Sequence, residues 1–89
     1  MKTIRIIVSG RVQGVYFRQS TREQAIALQI TGWVRNLADG AVEIMATGDE
    51  KKLEQLILWC HTGPPRAVVN KIDVTDSSLN YFTSFEITR

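Results

Sequence analysis

The stretch Gly10-Arg11-Val12-Gln13-Gly14-Val15-Tyr16-Phe17-Arg18 is the part of this chain best furnished for chemistry. Two glycines with three residues between them permit a sharp turn with inward backbone amides. A helix pattern starts directly afterwards. Helix N-termini present unpaired N–H groups and a partial positive charge, which suits a phosphate or carboxylate. Arg18 adds a planar fork matched to phosphate oxygens. Taken alone, the pattern reads better as a strand-to-helix turn with a surface arginine. It lacks the Gly-Lys-Ser/Thr ending of a nucleotide P-loop, and it is not a dinucleotide fingerprint.

A second polar residue, Asn36, belongs with this loop only if the fold brings it there. Alternation of Ile4, Ile6 and Val8 with Thr3, Arg5 and Ile7 predicts a strand over 3–9. Helix formers fill 18–30, with Phe17, Thr21, Ala25 and Leu28 on one face. A second strand covers 32–37, and Asp39-Gly40 suits a tight hairpin turn. A third strand follows over 41–47. Asp49 is a candidate N-cap for a helix over 51–61, with Leu53, Leu56, Ile57 and Cys60 inward. Gly63-Pro64-Pro65 stops it. Val68, Asn70, Ile72 and Val74 share one face of a fourth strand, and 82–88 forms a last one.

The order β-α-β-β-α-β plus a short C-terminal strand predicts an α+β, ferredoxin-like sandwich: an antiparallel sheet with two helices on one face. Its connectivity puts the loop after strand one, the start of helix one and the hairpin after strand two at one end. Arg18 and Asn36, distant in sequence, are therefore expected at one end of the sheet.

The 89 residues fit a single domain, 1–89. Composition is ordinary for a globular chain: 44% hydrophobic and 22% charged. One cysteine excludes an internal disulfide, and with one histidine it excludes a Cys/His zinc site. Apolar runs are too short for a membrane helix or a secretory signal, so a cytoplasmic, unprocessed chain is expected. The net charge of +2 divides into +5 over 1–38 and −3 over 39–89. The arginine-rich half favours an anionic partner at one end.

The loop 10–18 and the block Gly32-Trp33-Val34-Arg35-Asn36 with Asp39-Gly40-Ala41-Val42-Glu43 resemble the two signatures of the acylphosphatase family. Their spacing fits, and Gly48, Trp59, Gly63-Pro64 and Phe85-Glu86-Ile87 extend the likeness over nearly the whole chain. The resemblance implies a ferredoxin-like fold and hydrolysis of the carboxyl–phosphate bond of acyl phosphates. It implies Arg18 and Asn36 as the key positions. It also implies a phosphate cradle of main-chain amides over Val12, Gln13, Gly14, Val15, Tyr16, Phe17 and Arg18. Two residues depart from the family pattern. Tyr16 stands where many members carry Gly or Phe, and Gln29 where Gly often closes helix one.

Such a reaction needs neither metal nor cofactor. The leaving carboxylate has a conjugate acid of pKa about 4, so it departs without a general acid. Phosphoryl transfer is mostly positioning and charge stabilisation. Asn36 is no base, but its amide can orient a water and donate to phosphate. The alternative is a non-catalytic anion- or RNA-binding module on the same fold. RNA recognition on such a sheet needs exposed aromatics on the central strands. The strand faces bearing Arg5 and Glu43 lack such a pair. The expected partner is thus a small acyl phosphate, with no nucleic acid or membrane, acted on by a monomer.

Overall fold

The structure, a computed structural model, describes residues 1–89. The chain runs β1 (Lys2–Arg11), α1 (Phe17–Ala27), β2 (Thr31–Asn36), β3 (Val42–Gly48), α2 (Glu50–Thr62), β4 (Val68–Ser77), β5 (Phe85–Ile87). The strands lie in the order β4-β1-β3-β2-β5. Alternation along β1 turns Ile4, Ile6 and Val8 into a core shared with Val34, Val42 and Ile44. The helices close this side with Phe17 and Ala25 from α1 and Leu53, Leu56 and Cys60 from α2. Phe17 and Trp59 join the two helices, their ring centroids 5.4 Å apart. This is the ferredoxin-like sandwich that the element order predicts.

The four strands β4, β1, β3 and β2 pair antiparallel, but β5 runs parallel to β2 and makes the sheet mixed. The cause is the path of residues 78–84. They cross the far end of the sheet from one edge to the other, so β5 must return alongside β2. Two buried threonines fasten the crossing. The Thr47 hydroxyl donates to the Asn80 carbonyl at 2.6 Å, and the Asn80 N–H donates to Thr3 Oγ1 at 2.9 Å. β5 therefore ends, at Ile87, beside β2 and at the end of the sheet where β1 also ends.

β1 does not stop at Ser9, as its sequence pattern implies. A bulge opposite Ser9 and Gly10 lets it continue to Arg11. Ser9 pairs with Lys71 and Gly10 with Val69, which leaves Asn70 as the extra residue. The apolar row of β4 shifts accordingly. Val69 and Ile72 pack against the core, while Val68 is exposed. Gly10 is required here: its φ is +131°, and a Cβ would collide with the Val68 carbonyl.

α1 ends at Ala27, short of the expected 30. Gln29 turns left-handed with φ +59°. The Ile30 N–H donates to Ala25 O at 2.8 Å and the Gln29 N–H to Ile26 O at 3.1 Å. These are the two bonds of a Schellman cap, made without glycine. Asp49 occupies the N-cap of α2 but makes no side-chain cap bond.

On the open face of the sheet the buried Glu43 carboxylate binds two arginines. Arg5 Nε lies 2.5 Å from Oε2 and Arg35 Nε 2.6 Å from Oε1. Arg35 also stacks over Trp33, 5.1 Å from the ring centroid. Burial pushes the Glu43 pKa up, but the hydrogen bonds and charges of Arg35 and Arg5 together outweigh it. The net direction is below the ordinary 4.5.

Two measurements follow. Gln29→Gly removes a left-handed penalty of about 1–2 kcal/mol but adds unfolded-state entropy, so urea unfolding should show a net gain of about 0.5–1 kcal/mol. A depressed folded pKa at Glu43 contributes stability that is present above 4.5 and lost as the pH falls through the folded value. Glu43→Gln should cost about 1–3 kcal/mol near neutrality. It should also flatten the acid limb of a stability-versus-pH profile.

Candidate active site

The turn after β1 sets up the site. Gly14 has φ +74° and Tyr16 φ +64°, and Tyr16 is the N-cap of α1. A tyrosine supplies no side-chain cap, and the first turn carries no acid. None of the N–H groups of Val12, Gln13, Gly14, Val15 or Tyr16 donates within the protein. Phe17, Arg18 and Gln19 begin the helix and have no acceptor within it. Eight successive amides are thus unspent around one turn. Free amides at an uncapped helix start are the arrangement that suits an anion.

A cleft of about 440 Å³ opens at this turn. Val12, Gly14, Tyr16, Phe17 and Arg18 line it from the loop side, and Asn36 from the end of β2. The sequence thus brings together most of the residues singled out. Val12 and Phe17 line it although each residue is only 1% exposed, their side chains belonging to the core. Gln13 and Val15 are not part of this cleft. Val15 is buried and lines an adjoining hollow, as does Gln13.

Gln13 acts elsewhere. Its side-chain amide donates to the Leu37 carbonyl at 2.8 Å and to the Ala41 carbonyl at 2.9 Å. These carbonyls flank the β2–β3 hairpin just beyond Asn36. The hairpin turn is longer than a two-residue one. Leu37 N–H donates to Ala41 O at 2.8 Å, Asp39 Oδ1 accepts from the Ala41 N–H at 3.0 Å, and only Gly40 takes positive φ. One glutamine therefore bolts the amide turn to the hairpin that presents Asn36.

Asn36 is fixed through its backbone, opposite Val42. Its Oδ1 is buried and finds no hydrogen-bond partner in the protein, the one such buried side-chain atom in the structure. A buried acceptor left unpaired costs about 1–3 kcal/mol, which favours a turn of the Asn36 amide that brings the oxygen to a donor in the cleft the residue lines.

Arg18 is exposed and makes no ion pair. Three lining residues escaped the sequence reading: Gln19, Arg66 and Ile87. Arg66 lies in the α2–β4 turn, where the Ala67 N–H donates to Pro64 O at 3.0 Å. The same up-and-down connectivity that joins Arg18 to Asn36 also brings this turn to that end. Ile87 depended on the parallel return of β5, which no local pattern shows. Arg35 is not at the cleft, because Glu43 holds it on the open face.

No carboxylate, histidine or cysteine lines the cleft. The sole thiol, Cys60, is buried in the core, and burial pushes its pKa up to about 12.

The fold and this cleft define a small α/β sandwich with a turn of unspent amides at one end of its sheet. The acylphosphatase family model matches residues 4–87, and the chain belongs to the acylphosphatase family. An acylphosphatase of Pelotomaculum thermopropionicum is 54% identical over 83 residues, covering 92% of this chain and 90% of its own. One from Acaryochloris marina is 50% identical over 86 residues, covering 97% and 92%. The crystal structure of acylphosphatase from Bacillus subtilis superposes with a TM-score of 0.97 at 42% identity, covering all of both chains.

Gln13→Ala removes both donors to the hairpin. The change should lower kcat about 10- to 100-fold with a smaller effect on KM, because it loosens Asn36 relative to the turn. Gln13→Glu preserves length but cannot donate when ionised, so it should not rescue. Parallel rates with acetyl phosphate for the wild type and both variants check this.

Proposed function

We propose that this chain, an acyl phosphate hydrolase by its family, carries out the reaction in the cleft between the amide turn and Asn36. The phosphoryl group sits at the start of α1. Amides from Val12 to Arg18 and the Arg18 guanidinium hold its non-bridging oxygens. Asn36 Oδ1 accepts a hydrogen bond from a water and aims it at phosphorus, in line with the acyl oxygen. The water oxygen forms the new P–O bond as the acyl P–O bond breaks. The electron pair leaves with the carboxylate, and the water proton passes to a phosphoryl oxygen.

The observation that carries this reading is that Asn36, whose buried Oδ1 has no partner, lines one cleft with Val12, Gly14, Tyr16, Phe17, Arg18 and Gln19, whose amides are unspent. The lining chemistry suits the proposal. Cationic and amide donors stabilise charge on a transferring phosphoryl group, and a carboxylate leaving group needs no acid. A donor set without carboxylate, histidine or thiol is poorly made for holding a metal ion, so the proposed reaction is metal-free. The RNA-binding alternative draws no comparable support. The open face of the sheet has its arginines engaged by Glu43.

The reading extends to residues 1–89 as one catalytic unit working as a monomer. A composition with one cysteine and no disulfide framework accords with a cytoplasmic setting.

Benzoyl phosphate hydrolysis in excess EDTA tests the proposal. The wild type should turn over undiminished. Arg18→Ala should raise KM and lower kcat, with kcat/KM down by about 10²–10³ or more. Asn36→Ala should lower kcat by a similar factor and leave KM nearly unchanged. Small, equal effects of both changes would contradict the assigned roles.

A further inference from the structure

In-line displacement at phosphorus involves two opposite oxygens, one entering and one leaving. Asn36 serves the entering side, and the amides of the turn serve the non-bridging oxygens. Neither meets the acyl oxygen, which takes up the electron pair of the breaking bond. In a loose transition state that oxygen carries much of the developing charge.

One unspent side chain stands on the flank away from Asn36. Arg66 lines the cleft together with Asn36 and Arg18. Its guanidinium has no acidic partner and no hydrogen bond within the protein. By contrast, Arg5 and Arg35 are bound to Glu43, and Arg22 to the Phe85 carbonyl. The strand order explains the placement. β4 begins at the end of the sheet where β1 stops, with Val68 opposite Arg11. In the order β4-β1-β3-β2, the turn after β1 lies between the start of β4 and the end of β2. At about 4.8 Å per strand, these two flanks are roughly 14 Å apart. Asn36 thus belongs to the β2 side of the phosphoryl position and Arg66 to the β4 side, with the amides between them. In-line displacement needs this layout: a guide for water on one side and a partner for the leaving group on the other.

The backbone that carries Arg66 is held in place. Pro64 and Pro65 fix φ just before it, and the Ala67 N–H closes the turn on Pro64 O at 3.0 Å. The turn is also keyed to the helix start. Gly63 sits against Phe17, the first residue of α1, so closely that only 2.6 Å would separate a Cβ from the ring.

We infer that Arg66 is the catalytic residue for the leaving group. Its guanidinium binds the acyl carboxylate and stabilises the charge that gathers there as the acyl P–O bond breaks. The inference rests on the proposed position of the phosphoryl group. The electron pair of that bond passes to the acyl oxygen and spreads over both carboxylate oxygens. A guanidinium fork meets this planar pair with two parallel hydrogen bonds. No proton moves on this side, because the guanidinium stays charged throughout.

A leaving-group series tests the assignment. Ring-substituted benzoyl phosphates, whose parent acids differ in pKa, are hydrolysed under single-turnover conditions by the wild type, Arg66→Met and Arg66→Lys. Arg66 is exposed, so neither change disturbs the core. Arg66→Met should be slower with benzoyl phosphate by about 10- to 100-fold. The deficit should grow as the parent acid weakens, which steepens the plot of log rate against pKa. Arg66→Lys restores the charge but not the fork, and should recover part of both rate and slope. A line for Arg66→Met parallel to that of the wild type overturns the inference, because a merely structural loss slows every substrate alike. Binding supplies a readout that needs no turnover: benzoate titrated into each protein saturated with inorganic phosphate. Benzoate affinity should fall about 10-fold or more in Arg66→Met, with phosphate affinity nearly equal. Weaker phosphate binding with unchanged benzoate binding would move Arg66 to the phosphoryl group and overturn the inference. If the wild type failed to hydrolyse benzoyl phosphate, the proposed function would fall. The benzoate titration would still decide whether Arg66 holds a carboxylate, with equal affinity in both proteins counting against it.

Discussion

The two bonds from the Gln13 amide to the Leu37 and Ala41 carbonyls hold the site together. The amide turn follows β1 and Asn36 ends β2, and these strands are not neighbours: β3 lies between them. The ladder holds Val8 and Asn36 level through their common partner Val42, but the turn lies beyond the last of these pairs. A neutral amide with two donors can bridge two carbonyls without bringing a charge close to the unspent amides of the turn. Each bond contributes only about 0.5–1.5 kcal/mol to stability. Its larger effect is geometric, since in-line displacement tolerates little misplacement of water relative to phosphorus.

The rest of the fold supports that link from both sides. Beneath the turn, Phe17 is wedged between Trp59 and Gly63. A Cβ on Gly63 would come within 2.6 Å of the Phe17 ring. This packing anchors the first residue of α1, so Tyr16 can stay left-handed and the helix start can stay uncapped. Both features are locally unfavourable, by about 1–2 kcal/mol for the left-handed residue and about 1 kcal/mol for the missing cap. The core offsets them and leaves the amides available to a ligand. Beneath Asn36, Glu43 locks β2 to β3 and β1 through Arg35 and Arg5, one residue from the hairpin. Distributed cations are thereby sorted: those on the open face are neutralised, and those at the cleft are not.

Much of this was legible in the sequence because it is written in local periodicity. Ile4, Ile6 and Val8, the Phe17–Thr21–Ala25 stripe and the Leu53–Leu56–Cys60 stripe give the elements, and connectivity then brings Arg18 to Asn36. What was hidden depends on register. Asn70 looked like a polar flaw in an apolar row, but it is the bulged residue that extends β1 to Arg11 and shifts Val69 inward. Gln13 looked like one more cradle residue, yet its side chain serves the hairpin 24 residues away. Arg66 and Ile87 enter the cleft through a turn and a parallel edge strand whose placement is decided by tertiary contacts. Gln29 shows the converse: a residue that disfavours its conformation still takes it, because Ala25 and Ile30 are both buried around the cap.

The central claim is that Asn36 directs water at phosphorus and not at the acyl carbon. Hydrolysis in ¹⁸O-water under single-turnover conditions reads this most directly, by mass spectrometry of both products. The account predicts one ¹⁸O atom in the inorganic phosphate and none in the carboxylate. Label in the carboxylate would mean attack at carbon and C–O cleavage. The Asn36 amide, the Arg18 fork and the ring of amides would then have been assigned to the wrong atom.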